Sequence, residues 1–114
     1  KKADAIRIHM SGDFYSQEYF DMWLKLCKEN PNVEFWAYTK SVNYWVNRIN
    51  DIPENLVLTA SRGGKQDDLI EKHNLKNVEI IKKKEYAKGR PIDEKDQQAR
   101  IPNINFCLLD NFAK

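Results

Sequence analysis

Cysteine is scarce here and poorly spaced for chemistry of its own. The 114 residues hold two, Cys27 and Cys107, far apart and without a C-x-x-C pair. A self-contained zinc or iron–sulfur centre is therefore not expected. Leu24 and Leu26 flank the first thiol, Phe106 and Leu108 the second, and such surroundings point to buried, reduced core cysteines. Long apolar runs are missing too, which excludes a membrane-spanning helix, and no signal peptide is visible. A cytoplasmic location is expected by default. Net charge is only +2, so overall charge argues neither for nor against a nucleic-acid partner. The chain begins at Lys1 rather than Met, as expected of a fragment or a trimmed chain.

Aromatic residues, by contrast, are plentiful: three Trp, five Tyr and five Phe. One domain of this size has a modest core, and such side chains fill it efficiently. Strand candidates lie at 5–10, 33–38, 56–60, 77–81 and 105–109, and helix candidates alternate with them. Ser16 is a good N-cap for a helix over 17–29, with Tyr19, Phe20, Trp23, Leu24, Leu26 and Cys27 along one wide stripe. Asn30-Pro31-Asn32 stops it. Ser41 caps a second helix whose core face is Val42, Trp45, Val46 and Ile49. The third strand, LVLTA, is nearly all apolar, as suits burial on both faces. A short third helix spans 66–73, with Leu69 and Ile70 inside and His73 at its end or surface. Residues 82–103 are polar and charged, with Gly89, Pro91 and Pro102. They read as a long connection with one helical turn near 94–99, and connections of this length tend to be functional or mobile. The expectation is a single α/β domain over 1–114. It has a parallel or mostly parallel sheet of about four or five strands, with right-handed crossovers, forming an open sheet or partial barrel.

Carboxyl ends of parallel strands share one crevice. In RIHMSGDFYS (7–16) the first strand ends in His9, Ser11, Gly12 and Asp13. In FWAYTKS (35–41) the second ends in Tyr38, Thr39 and Lys40. In LVLTASRGG (56–64) the third ends in Thr59, Ser61 and Arg62. A His beside an Asp at a strand end can work as acid or base, while Lys and Arg can hold a phosphate or carboxylate. Local turn bonds account equally for Ser11 and Asp13, and capping accounts for Ser16 and Ser41. Ser61-Arg62-Gly63-Gly64-Lys65 has glycines that let amides approach an anion. It lacks the G-x-x-x-x-G-K-[ST] spacing of a phosphate loop, and an ordinary flexible loop is the simpler reading. Lys82, Lys83, Lys84, Lys88 and Arg90 surround Tyr86, a combination that suits single-stranded nucleic acid. Nearby Asp93, Glu94 and Asp96 dilute it, and a solvated face is the plainer outcome. Sequence order alone assembles no Ser–His–Asp or Cys–His triad.

The block RIHMSGDFYSQEYFDMWLKL, followed by FWAYTKS and LVLTASRGG, resembles the core of the phage "gene product 88" family. The tail YAKGRPIDEKDQQARIPNINFCLL fits the same pattern. R-x-H-x-S-G-D-F is the specific part. The resemblance implies a partial barrel related to radical-SAM proteins, whose longer members carry cysteine groups able to hold an iron–sulfur cluster. This chain departs from that pattern, because no cysteine follows Ser61 until Cys107. Radical chemistry by this chain alone is not expected. The resemblance carries over His9, Ser11, Gly12, Asp13, Tyr38, Thr39, Lys40 and Ser61 as matching strand-end positions.

Three functions are weighed. The first is a phage accessory module binding a macromolecule, with a protein of the bacterial host as partner and inhibition of a defence complex as one concrete version. It needs no cofactor, metal or membrane. The second is an enzyme or enzyme fragment acting on a nucleotide or nucleic acid, with His9 as acid or base, Asp13 orienting it or binding metal, and Lys40 and Arg62 holding the anion. The third is nucleic-acid binding through Lys82, Lys83, Lys84, Tyr86, Lys88 and Arg90, which would weaken steeply with salt.

Overall fold

A computed structural model describes residues 4–8, 13–93 and 98–109. Strand β1 (Asp4–Arg7) is followed by helix α1 (Gln17–Glu29), β2 (Val33–Thr39), α2 (Val42–Val46) and β3 (Leu56–Ser61). Then come α3 (Asp67–Lys72), β4 (Asn77–Ile81), two short 3-10 turns (Lys84–Ala87 and Gln98–Arg100) and β5 (Phe106–Leu109). All strand pairs are parallel and the order is β1-β2-β3-β4-β5. Sequential order with right-handed crossovers puts every helix on the same face, and the sheet curls into a half-barrel.

That helix face holds the main core. Phe20, Leu24 and Cys27 from α1, Val42 and Trp45 from α2 and Ile70 from α3 pack on Phe35, Ala37, Leu56, Leu58 and Ala60. Ser16 caps α1 as its position predicts, accepting from the Tyr19 amide at 3.1 Å. Helix α2 is shorter than the apolar spacing implies. It stops at Val46, the chain turns, and Ile49 is left 37% exposed instead of joining the core. Buried Asn55 (7% exposed) fastens the far end of the sheet. Its side-chain amide reaches the carbonyls of Cys27, Asn30 and Val33 at 2.9, 3.0 and 2.9 Å.

The opposite face is covered by the connection between β4 and β5. Ala99, in the second 3-10 turn, is buried with Val78 and Phe106 against Trp36, Tyr38 and Leu108. Ile92 bridges to Cys107, whose amide donates to the Pro91 carbonyl at 2.8 Å while the Asp93 amide donates to the Cys107 carbonyl at 2.9 Å. Arg100 pairs with Glu34 at 2.9 Å and lies over the Trp36 ring. The described part of the 82–103 connection is thus docked against the sheet; of the helical turn expected at 94–99, residues 94–97 lie outside the described residues. Lys76, 7% exposed, holds this cover by donating to the carbonyls of Gln98 (2.9 Å) and Ile104. Burial pushes its ammonium pKa down to about 8, opposed by the charge of Asp93.

Strand β4 is displaced upward along its neighbour. Only Ala60↔Asn77 and Ser61↔Val78 pair it with β3, whereas β2 and β3 share five residue pairs. Stagger of this kind accompanies the tilt of barrel strands. It carries the upper half of β4 beyond the end of β3.

Candidate functional site

The strand-end edge is built around Asp13. One carboxylate oxygen accepts from the Phe14 amide and the Thr39 hydroxyl, each at 2.7 Å; the other accepts from the Lys40 amide at 2.8 Å. Thr39 is 2% exposed and in turn accepts from the Ser41 amide at 2.9 Å. Ser41 does not cap α2 with its side chain. It donates across to the Phe14 carbonyl at 2.9 Å, because the turn after β1 lies within its reach. These bonds tie the chain entering α1 to the end of β2. Asp13 and Thr39 are brought together in a network that uses their polar atoms internally.

Arg62 is committed elsewhere. Its Nε donates to Asn77 Oδ1 at 2.9 Å and its Nη2 to Glu71 Oε1 at 2.8 Å, while its amide donates to the Val78 carbonyl. It therefore braces the short β3–β4 seam. Lys40 reaches the Arg62 carbonyl at 3.2 Å, its stem lying along Gly64. Gly63 has φ +98°, a left-handed conformation that favours glycine. The amides of Gly63 and Gly64, which could have met a phosphate, point at the Asp67 carboxylate at 3.0 to 3.3 Å. The loop already holds an anion of its own.

Tyr38 turns to the other face of β2, against Phe106, with the Arg7 guanidinium 5.0 Å above its ring. Strand alternation separates it from Thr39, so Tyr38, Thr39 and Lys40 do not converge on one point. Ser61 is half-buried at the end of β3. On this inner face the Trp36 Nε1 and Thr59 Oγ1 atoms are buried with no hydrogen-bond partner among the described residues. His9, Ser11 and Gly12 lie outside the described residues, so the pairing of His9 with Asp13 is not placed. His73 ends α3, as expected.

The residues do not fit an iron–sulfur cluster. Cys27 belongs to the helix-side core and Cys107 to a separate cluster with Ile81 and Ala87. Both are free and buried, and burial raises the Cys27 thiol to about 11 and the Cys107 thiol above its usual value. Neutral thiols in separate cores are poor ligands. Among the described residues, no group of three His, Cys, Asp or Glu is placed to hold a metal. No helix among them is long and apolar enough to cross a membrane.

The basic stretch differs from the strand-end network. Lys82, Lys83, Lys84 and Lys88 are exposed, and their ammonium groups have no hydrogen-bond or ion-pair partner among the described residues. Tyr86 is 48% exposed beside them. Arg90 is not free: its Nη2 pairs with Glu79 at 2.9 Å and its Nε donates to the Ala87 carbonyl. Sequence reasoning did not single out Asn55, Lys76 or Arg100. The signal for Lys76 is a lysine immediately before an apolar strand, which packing had to convert into a clamp.

Two curated mycobacteriophage proteins match part of the chain. The "Gene 88 protein" of Mycobacterium phage L5 is 45% identical over 40 residues, which is 35% of this chain and 17% of that protein. Its namesake in Mycobacterium phage D29 is 44% identical over 41 residues, with the same coverage of each chain. The matched stretch is thus less than a fifth of the relatives' length. No solved structure matches. The model of the family described as "Gene product 88" matches residues 1–112, and with almost the whole chain so matched, the protein belongs to that family.

Proposed function

We propose that this chain is the macromolecule-binding part of a phage accessory protein. One observation carries the reading: most described polar groups at the strand ends are engaged in internal bonds, while four lysine ammoniums without partners stand beside exposed Tyr86 at one corner. Asp13, Thr39, Ser41, Arg62 and the Gly63–Gly64 amides all have partners within the chain. Lys82, Lys84 and Lys88 have none among the described residues, and Tyr86 stands exposed. A surface in that state has free energy to gain from a partner, since aromatic anchors dominate contact energies. Inhibition of a host defence complex is the specific form this binding takes in our reading, with a host protein or a nucleoprotein as target.

The test is affinity capture from host lysate with the wild-type chain, a K82E/K84E/K88E variant and Asp13→Ala. A stoichiometric macromolecule held by the wild type and by any folded Asp13→Ala, and lost by the charge-reversed variant, is the expected result. Capture of nothing by the wild type, together with turnover of a small substrate, would overturn the reading in favour of an enzyme.

A further inference from the structure

We infer that the groove beside Tyr86 binds single-stranded nucleic acid, an inference that rests on the binding-module reading and names its partner. The groove is bordered by Ile80, Lys82, Tyr86 and Lys88, with the Arg90–Glu79 pair in its wall. Its position follows from the stagger of β4. Because β4 pairs with β3 only through Asn77 and Val78, Ile80 lies beyond the end of β3, paired with Leu108 of β5 alone, and is 57% exposed. The 3-10 turn Lys84–Ala87 then presents Tyr86, and Lys88 closes the turn at φ +52°.

Charge and shape select the partner. Over 82–88 four lysines face the single carboxylate of Glu85. Arg90, the guanidinium in the groove wall that could grip a carboxylate with two parallel bonds, is already held by Glu79, which argues against an acidic peptide. Free ammoniums are point charges that track phosphates without reading sequence, and an exposed ring offers a face for an unpaired base. A duplex has its bases stacked inside and leaves Tyr86 nothing to stack on.

Fluorescence anisotropy with a labelled oligothymidylate of about twelve nucleotides tests this. Affinity should fall between about 50 and 200 mM salt, with a log–log slope of about −3 if the four lysines each meet a phosphate. Lys82→Gln with Lys88→Gln should bring that slope nearer zero by about 1.4. Tyr86→Ala should weaken binding about five- to 150-fold with the slope unchanged. These side chains are exposed, and unchanged urea midpoints will show that the variants fold. Salt-independent or absent binding overturns the inference. So does equal affinity for the duplex or for a polyglutamate peptide, or a Tyr86→Ala chain that binds like wild type. If the oligonucleotide fails while nuclease-treated lysate still yields a protein lost on charge reversal, the nucleic-acid inference falls and the binding-module reading stands. If both fail, both fall.

Discussion

At the scale of single residues, Asp13 and Asn55 do similar work at opposite ends of the sheet. Each is a compact polar group that satisfies backbone atoms of segments distant in sequence. Removing such a group leaves buried donors or acceptors without partners, which costs about 1–3 kcal/mol. Asn55→Ala should therefore lower unfolding free energy in urea by about that amount. Asp13→Ala and Thr39→Ala should each destabilise and should combine non-additively, with a coupling of about 0.5–3 kcal/mol in a double-mutant cycle. Additive effects would mean that the 2.7 Å bond between them contributes little. The sequence marked Asp13 as special because it follows a strand and precedes a helix. It could not say that the carboxylate reaches Thr39, since that contact crosses 26 residues and depends on strand order. Asn55 gave no signal at all; a loop asparagine looks the same whether it faces solvent or three carbonyls.

Among elements, α1 was the most legible, because its apolar stripe, N-cap and Asn-Pro stop agree with one another. Helix α2 was less so: the spacing through Ile49 fits a helix that the chain does not continue. The stretch 82–103 links β4 to β5 as a long connection, but its polar composition hides its anchoring by a few buried groups, namely Ala87, Asp93 and Ala99. Lys76 makes that anchoring sensitive to pH. Its folded pKa of about 8 lies below the usual 10.5, so from pH 8 to 10.5 the unfolded chain binds more protons than the folded one. Stability should rise with pH through that window, and below pH 8 the full cost of the buried charge is carried. The neutral amine keeps two N–H groups for its two carbonyls. Stability relative to Lys76→Met should therefore grow by on the order of 1–3 kcal/mol between pH 8 and 10. A parallel pH dependence in both proteins would remove Lys76 as the cause. Asp21 works with the opposite sign. Two bonds from Arg48 lower its pKa, so its favourable share is lost as acid protonates it, and exposure keeps that share small.

For the molecule as a whole, the alternation of strands and helices made a parallel α/β sheet legible, and the half-barrel agrees with the partial barrel that the family resemblance implies. What alternation cannot give is register, since it records which residues face inward and not how far one strand slides along the next. Hydrogen exchange should be slowest in β3, buried along five of its six positions, and faster in β1 and β5 at the edges. Equal protection across the strands would show that the sheet opens only as one unit.

The two-residue seam between β3 and β4 has a mechanical meaning. A sheet pulled or warmed parts where the fewest backbone bonds cross, and here that line runs between a leading block, β1 to β3 with α1 and α2, and a trailing hairpin-sized block of β4 and β5. Arg62, bonded to Asn77 and Glu71, is one rivet near the line, and the Arg100–Glu34 pair ties the trailing segment to β2. The corner that carries Tyr86 belongs to the trailing block, so it can loosen without melting the main core. A partner that grips that corner would be felt first at the seam, as slower exchange in Ala60 and Arg62, well before anything changes at Asn55.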